Sequence, residues 1–357
     1  MGKKIQEKDY VIVFNASQDT FEDMLFYFHC DLQEFLLENQ DLSSILGDVI
    51  GVHADFLGKD LSFNRYFAIR DEKISLFSSK SSALPGIVHF LHFDAKNEIK
   101  THRQLSSRFN TSAIKMVNPY NKGTSNCDSK FRMFEILKSK RIPTPEAKLI
   151  SRFNKGKINS FKKILSGFSS GELYLQPDRG TEGKDCLFFK KSKCAKYTQS
   201  TEVVRFLNSI NEDIIIRKKV GNLSYKGEDF VLRINVSFDG ESFHANSGYA
   251  MVGEEVVSAE KGARRENINK VLDFLKLRDK DIERIKETSC DAVEEVFKDR
   301  EPPLIVGVDV VLEQHRGLIP YVIDLNPRPV VVGSRIIGKN KINLGENFWK
   351  GVFIRCI

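Results

Sequence analysis

The strongest constraint on the fold of this chain lies near its C-terminus, in two apolar, β-rich runs separated by His315-Arg316-Gly317. The first runs from Leu304 to Glu313; the second ends in Y-V-I-D-L-N-P-R-P, residues 321–329. Side chains alternate faces along a strand, so Asp324 and Asn326 are expected on one face and Tyr321, Ile323 and Leu325 on the other. On the first run Asp309 shares a face with Gly307 and Val311. A hairpin of the two runs therefore lets Asp309 meet Asp324 and Asn326 across the pair. Such oxygen donors suit a hard divalent cation such as Mg²⁺, which binds through a few carboxylates together with substrate phosphates. A surface hairpin with solvated acids has the same residues, and the hairpin alone leaves both readings open.

Composition narrows the class without choosing the chemistry. The chain has 357 residues, 41% hydrophobic and 29% charged, with 27 Phe and one Trp, which allows two or three units with substantial cores. The net charge of +7 comes from 55 basic against 48 acidic residues, so the chain is no polybasic tail protein. An excess of this size suits anionic small molecules as well as nucleic acid. No run of 18 apolar residues occurs, and Met1-Gly2-Lys3-Lys4 leads directly into charged residues. A cytoplasmic protein without membrane segments is expected. The six cysteines form no C-x-x-C pair, so neither a zinc site nor a disulfide framework is indicated.

Along the chain, strands and helices alternate in a mixed α/β manner. Y-V-I-V-F (10–14) and G-I-V-H-F-L-H-F (86–93) read as strands, and Phe21 to Leu46 as helical. Residues 1–115 are expected to form a separate α/β unit. Asp128 is the expected N-cap of a helix reaching Lys140, which Pro143 and Pro145 end before a strand at Ala147–Ile150. A short amphipathic helix carries Phe161, Ile164, Leu165 and Phe168. L-Y-L-Q-P-D-R-G-T-E-G-K-D-C-L-F-F then gives strand, glycine loop and strand, followed by a helix near Glu202 and a strand at 214–220. The strand at 230–238 alternates cleanly, with Phe230, Leu232, Ile234, Val236 and Phe238 on one face. Val231, Arg233, Asn235 and Ser237 occupy the other, which is polar enough to line a cleft. Two amphipathic helices, one with Ile268, Val271 and Leu272 and one with Ile285, Val293 and Val296, precede the C-terminal hairpin.

Five stretches, in this order, resemble the ATP-grasp superfamily. C-D-S-K-F-R-M-F-E-I-L-K-S-K-R-I-P-T-P-E (127–146) looks like the family's entry segment, with Lys130 in the place of a phosphate-contacting lysine. L-Q-P-D-R-G-T-E-G-K (175–184) is similar to the family's K-P strand and glycine loop. I-I-I-R-K-K-V (214–220) falls where the segment passing the adenine stands. G-V-D-V-V-L-E (307–313) and Y-V-I-D-L-N-P-R-P resemble the metal-binding hairpin, usually written with Glu in place of Asp324. The N-P-R-P ending looks most like a branch that contains amino-acid and peptide ligases.

The resemblance implies two α/β lobes clasping ATP, at 116–212 and 213–357, preceded by the unit at 1–115. It implies Mg²⁺ or Mn²⁺ at Asp309, Asp324 and Asn326. It implies nucleotide contacts from Lys130, Gln176, Arg179, Gly180, Thr181, Gly183 and Lys184, and from the backbone of Lys219 and Val220. Gly180 and Gly183 would let the loop backbone approach phosphates. Arg233 and Arg328 are expected as the catalytic cations, the latter stiffened between two prolines with its fork free for a carboxylate, a phosphate or transition-state charge. The activity implied is that of a carboxylate–amine ligase acting through an acyl phosphate, on small-molecule substrates of the amino-acid or peptide kind. Neither nucleic acid nor membrane is an expected partner, and a homo-oligomer stays open. Three departures bear on this. Gln176 stands where a lysine is common, which asks Arg179 or Lys184 to supply the charge. Arg217, Lys218 and Lys219 stand where an acidic or amide side chain often reads the adenine amino group. Asp324 for Glu is shared with inositol phosphate kinases of the superfamily, which keeps a small-molecule kinase as the alternative, beside a non-catalytic nucleotide-binding module.

Overall fold

The structure is a computed structural model that describes residues 9–15, 18–57, 62–83, 86–92, 98–109, 115–152, 156–168, 171–179, 185–190, 201–258, 261–298, 300–339 and 346–356. Three sheets organise these residues. The first has the order β4-β3-β2-β1-β5-β6, built from β1 (Tyr10–Asn15), β2 (Val49–His53), β3 (Ser62–Arg70), β4 (Lys73–Ala83), β5 (Ile87–His92) and β6 (Lys115–Val117). Its half around β1 is parallel, with β1 between β2 and β5, whereas β3 and β4 add as an antiparallel edge. Strand α/β crossovers are made by α1 (Gln18–Glu38) and α2 (Glu98–Phe109). Helix α1 stops eight residues short of the expected end at Leu46. Asn39 closes it, its backbone N and its Nδ2 both donating to the Phe35 carbonyl, at 3.0 and 2.9 Å.

The second sheet, β7-β10-β8-β9, is antiparallel throughout. It contains β7 (Ala147–Ile150), β8 (Glu172–Pro177), β9 (Leu187–Lys190) and β10 (Ile214–Lys218). On one face Leu173, Leu175, Ile214 and Ile216 pack with Phe161 and Leu165 of α5 (Lys157–Ser166) and Val203 and Leu207 of α6 (Thr201–Ser209). Strand alternation sends Tyr174, Gln176, Ile215 and Arg217 to the other face. The hairpin expected around the glycine loop is present as β8 and β9; the loop itself, residues 180–184, lies outside the described residues.

The third sheet runs β13-β12-β11-β14-β15, with the short β16 (Arg335–Ile336) paired to β12. Its strands are β11 (Asp229–Phe238), β12 (Phe243–Gly253), β13 (Arg264–Asn267), β14 (Ile305–Gln314) and β15 (Leu318–Asn326). Helices α7 (Ile268–Phe274) and α8 (Asp279–Phe297) cover one face, where Val271, Ile285, Val293 and Val296 meet Leu232, Ile234, Val306, Val308 and Val310. Helix α3 (Lys122–Cys127) and helix α4 (Lys130–Ser139) join the same layer, Met133, Phe134 and Leu137 being buried in it. The last helix, α9 (Glu346–Cys356), returns to the first sheet. Phe348, Trp349 and Val352 pack among Tyr10, Phe28 and Leu32, and Trp349 Nε1 donates to Asp31 at 2.7 Å.

Two further sequence expectations need correction. The N-cap of α4 is Ser129, whose hydroxyl accepts from the Arg132 N–H, and not Asp128. The second correction concerns β15. Asp309 pairs with Asp324, but the next residue, Val310, pairs with Val322, so Ile323 is an extra residue in a β-bulge. Before the bulge the even-numbered Leu318 and Val322 face the core; after it Leu325 does. Tyr321 and Ile323 therefore do not share a face with Leu325. Without the bulge, Asp324 would continue the face of Val322 and enter the apolar layer. The bulge turns both Asp324 and Asn326 to the cleft.

Candidate active site

The cleft face of the third sheet centres on Asp309. Its register partner on one side is Asp324 and on the other Arg233. The Arg233 guanidinium forks onto this carboxylate, Nε to Oδ1 and Nη2 to Oδ2, the latter at 2.9 Å. The two side chains are 11% and 9% exposed, so the bidentate geometry is held in a nearly dry setting. Gly307 makes room for it, because a Cβ there would sit 2.8 Å from Arg233 Cδ and 3.0 Å from Pro329 Cβ. Burial pushes the Asp309 carboxyl above the usual range, Arg233 opposes this, and Asp324 adds to it. Burial would lower the Arg233 pKa, but Asp309 and Tyr249 more than offset it, and the guanidinium stays charged. Asn326, opposite Gly307, turns its Nδ2 to Asp309 Oδ2 at 3.5 Å.

The tetrapeptide Asp128-Ser129-Lys130-Phe131 brings three parts of the molecule to this face. Lys130 Nζ donates to Asp324 Oδ2 at 3.2 Å, so the second carboxylate also carries a cation. Behind it, Asp178 grips the first turn of α4. Its Oδ2 accepts from the Ser129 hydroxyl at 2.7 Å, its Oδ1 from the Phe131 N–H at 2.8 Å, and its carbonyl from the Lys130 N–H at 3.1 Å. A carboxylate at a helix N-terminus satisfies amides that have no partner within the helix and meets the positive end of its dipole. Asp178 directly follows β8, so the base of the glycine loop and the position of Lys130 are fixed by one side chain.

Arg328 is placed differently from its expected role. Its fork is buried: Nη2 donates to Asp128 Oδ1 at 2.9 Å and Nη1 to His102 Nδ1 at 3.0 Å. His102 accepts at Nδ1, so its Nε2 carries the hydrogen and donates to the Asn118 carbonyl at 3.0 Å. Asn118 in turn clamps the base of the hairpin. Its Nδ2 donates to the carbonyls of Ile305 and Pro327 (2.5 and 2.8 Å), and its Oδ1 accepts from Leu304 N at 2.7 Å. Arg328 thus ties α2, the α3–α4 junction and the end of β15 together, where the sequence left it an open substrate fork.

The second sheet turns its polar face to the same cleft. Gln176 is buried and its Oε1 accepts from Cys186 Sγ at 3.6 Å. The Arg217 guanidinium lies 4.5 Å over the Tyr174 ring, whose hydroxyl donates to the Glu255 carbonyl at 2.6 Å. Lys219 is committed to Asp229 at 2.7 Å and Glu172 at 3.7 Å, and its N–H donates to the Glu172 carbonyl at 2.8 Å. Val220 follows β10, half-buried. Arg179 is exposed, its N–H donating to Glu212 at 3.3 Å. Gly180, Thr181, Gly183 and Lys184 lie outside the described residues.

The three-sheet arrangement has solved counterparts. The VanG D-Ala:D-Ser ligase from Enterococcus faecalis superposes with a TM-score of 0.61 at 11% identity, over 98% of this chain and 100% of that one. The D-alanine–D-alanine ligase from Bacillus anthracis complexed with ATP gives 0.54 at 15% identity, over 98% and 96%. The ATP-grasp ligase PsnB complexed with minimal precursor gives 0.51 at 14% identity, over 90% and 91%. The chain has the ATP-grasp fold. No family model matches the sequence, and no curated protein sequence matches it significantly.

The ATP-grasp fold carries with it the metal question raised by the hairpin. The donors here are hard oxygens on one face: two carboxylates that are register partners, with the amide of Asn326 beside them. Among the described residues no group of three His, Cys, Asp or Glu could hold an ion. The further donor on this face is the Asn326 amide, and the remaining ligands of an ion would come with a substrate. That set fits a small hard cation that usually binds through one or two carboxylates plus phosphates. Arg233 and Lys130 already balance the two acids, so the ATP-grasp cleft is electrically neutral at its centre. Three contributors were not legible as such: Asp178, hidden in a P-D-R-G turn; Asn118, an isolated polar residue; and Asp128, which reads as a helix cap.

Proposed function

We propose that the chain is an ATP-dependent carboxylate–amine ligase whose nucleotide lies between the lobes at 116–212 and 213–357. The observation that carries this reading is the acid pair Asp309–Asp324, with one cation on each member, turned by a bulge toward the cleft face that holds Lys130. Phosphoryl transfer asks for positioned charge and little covalent help, and the cleft supplies that. A divalent cation held by Asp309, Asp324 and Asn326 would neutralise charge developing on phosphate oxygens. Lys130, which shares its partner Asp324 with that site, is positioned to move to a phosphate. Arg233 holds Asp309 in orientation and offers a second cation to the transferring group. The substrate carboxylate attacks the γ-phosphate to give an acyl phosphate and ADP, and an amine then displaces phosphate to form the amide.

The neighbours are named for D-alanine, D-serine and a minimal precursor, and amino acids or peptides are the substrate class we assign. Asp324 in place of Glu favours one competitor, a small-molecule kinase. Hydroxylamine separates the two. With ATP, Mg²⁺ and the carboxylate substrate, a ligase yields the hydroxamate and releases ADP and phosphate. A kinase yields a stable phosphorylated product and no hydroxamate, and that outcome would overturn the ligase reading.

A further inference from the structure

The polar groups on the cleft face of the second sheet are nearly all in use. Tyr174 spends its hydroxyl on the Glu255 carbonyl, Lys219 is held by Asp229 and Glu172, and the Gln176 Oε1 accepts from Cys186. Arg217 is the exception. It makes no hydrogen bond and no ion pair among the described residues, and its Nε is buried without a partner. The Tyr174 ring centroid lies 4.5 Å from the guanidinium carbon, a cation–π contact that uses none of the guanidinium N–H donors.

The position of this arginine along the cleft follows from strand geometry. Arg217 is the register partner of Tyr174, four residues before Asp178, which anchors Lys130 and the glycine loop. At ~3.3 Å per residue that is about 13 Å from the phosphate end. A nucleotide whose phosphates meet Lys130 and the acid pair reaches back by about its own length. Its base then falls beside Tyr174 and Phe188, whose ring centroids are 5.4 Å apart.

We infer that Arg217 reads the base, and that the base it suits is a 6-oxo purine, so that GTP serves this protein better than ATP. A guanidinium offers donors only. Guanine presents two acceptors side by side, O6 and N7, which an arginine fork meets in bidentate fashion. Adenine replaces O6 with an amino donor and sets N–H against N–H. The amide that could have read adenine, Gln176, stands two residues nearer the phosphates and is occupied by Cys186. This inference rests on the nucleotide-dependent reading above and changes only the identity of the base.

The test is calorimetric titration of the full chain, with Mg²⁺, using non-hydrolysable analogues of GTP and ATP, and ITP as a third ligand. GTP is expected to bind ~10-fold or more tightly than ATP, within the range for a bidentate arginine–guanine pair. ITP, which keeps O6 and N7 but lacks the 2-amino group, is expected to follow GTP. Arg217→Gln, which gives adenine N6 and N7 an amide partner, is expected to reverse the order. Equal or tighter binding of ATP by the wild type overturns the inference and leaves the ligase reading standing. An unchanged ratio in Arg217→Gln overturns the assignment to Arg217. Binding of none of the three overturns the nucleotide-dependent reading and this inference with it. Should the variant not fold, the wild-type ranking of ITP against ATP still decides.

Discussion

Replacing Asp128 by Asn tests whether Arg328 is a tie inside the fold or a group that meets substrate. The Arg328 and Asp128 side chains are 5% and 3% exposed and 2.9 Å apart, so removal of the carboxylate charge leaves a guanidinium in a dry site with the neutral His102 Nδ1 beside it. Breaking a buried pair by removing one member costs ~3–5 kcal/mol. Asn retains one acceptor for Nη2, which recovers ~1 kcal/mol. Its new N–H₂ takes the place of Asp128 Oδ2, which has no partner among the described residues, so no further recovery is expected. The net loss is about 3 kcal/mol. Urea unfolding of wild type, Asp128→Asn, Arg328→Met and the double variant measures it, with the midpoint converted through the slope. The two single losses should be strongly non-additive, the double variant being less destabilised than their sum by ~2 kcal/mol or more. A loss below ~0.5 kcal/mol for Asp128→Asn, or additive single effects, would refute the buried-tie reasoning and return Arg328 to the list of substrate contacts.

Three other outcomes are expected. Asp324→Asn should lower ATP-dependent turnover by ~100-fold or more, the scale of one preorganised electrostatic contact; its unfolding midpoint should move by no more than ~1 kcal/mol, since Lys130 keeps 16% exposure. A large stability loss with retained turnover would make the hairpin a scaffold. His89 is buried, shares a 2.6 Å hydrogen bond between its Nδ1 and the Tyr10 hydroxyl, and is pushed down from 6.5 to about 3 by burial. Its folded pKa lies below the unfolded one, so its contribution to stability is full above pH 6.5 and is lost as pH falls from 6.5 toward 3, by ~1.4 kcal/mol per pH unit. His89→Phe should flatten the stability–pH curve in that window, and an unaltered slope in chemical denaturation would count against the assignment. Lys184→Ala should raise the apparent KM for the nucleotide by ~10-fold or more, as one charge-assisted contact implies. An unchanged KM would leave the neutral Gln176 uncompensated by that lysine.

What the sequence revealed depended on whether the information was local. The alternation of β11, the helical spacing of Ile285, Val293 and Val296, and the facing of Asp309 toward Asp324 all follow from residues a few positions apart, and the structure has them. The bulge at Ile323 did not, because Y-V-I-D-L-N alternates equally well in either phase and only pairing with Val310 fixes which one holds. Strands β3 and β4 were missed where Ser, Asn and Arg interrupt the apolar pattern on an edge that needs cover on only part of its surface. The fate of Arg328 was invisible for a different reason. Its partners lie 200 and 226 positions away, and a stiff Pro-Arg-Pro segment looks the same whether its fork reaches solvent or a carboxylate. Asp178 shows the same limit, since a Pro-Asp-Arg-Gly turn says nothing about the helix whose first turn its aspartate will hold.

The junction at residues 128–131 sets which contact beside the acid pair yields first. Four consecutive residues are moored to three bodies: Asp128 to the hairpin end and α2 through Arg328, Ser129 and Phe131 to the second sheet through Asp178, and Lys130 to the third sheet through Asp324. No lobe can swing away carrying α4 without parting one mooring. The Lys130–Asp324 contact is the most hydrated of them, at 16% and 23% exposure, and water can replace it at least cost. Any exchange at this junction therefore begins as a lysine leaving an aspartate. Because Met133, Phe134 and Leu137 bury α4 in the layer of the third sheet and Asp178 holds its first turn, whatever reaches the acid pair meets a fixed backbone and a single exchangeable lysine.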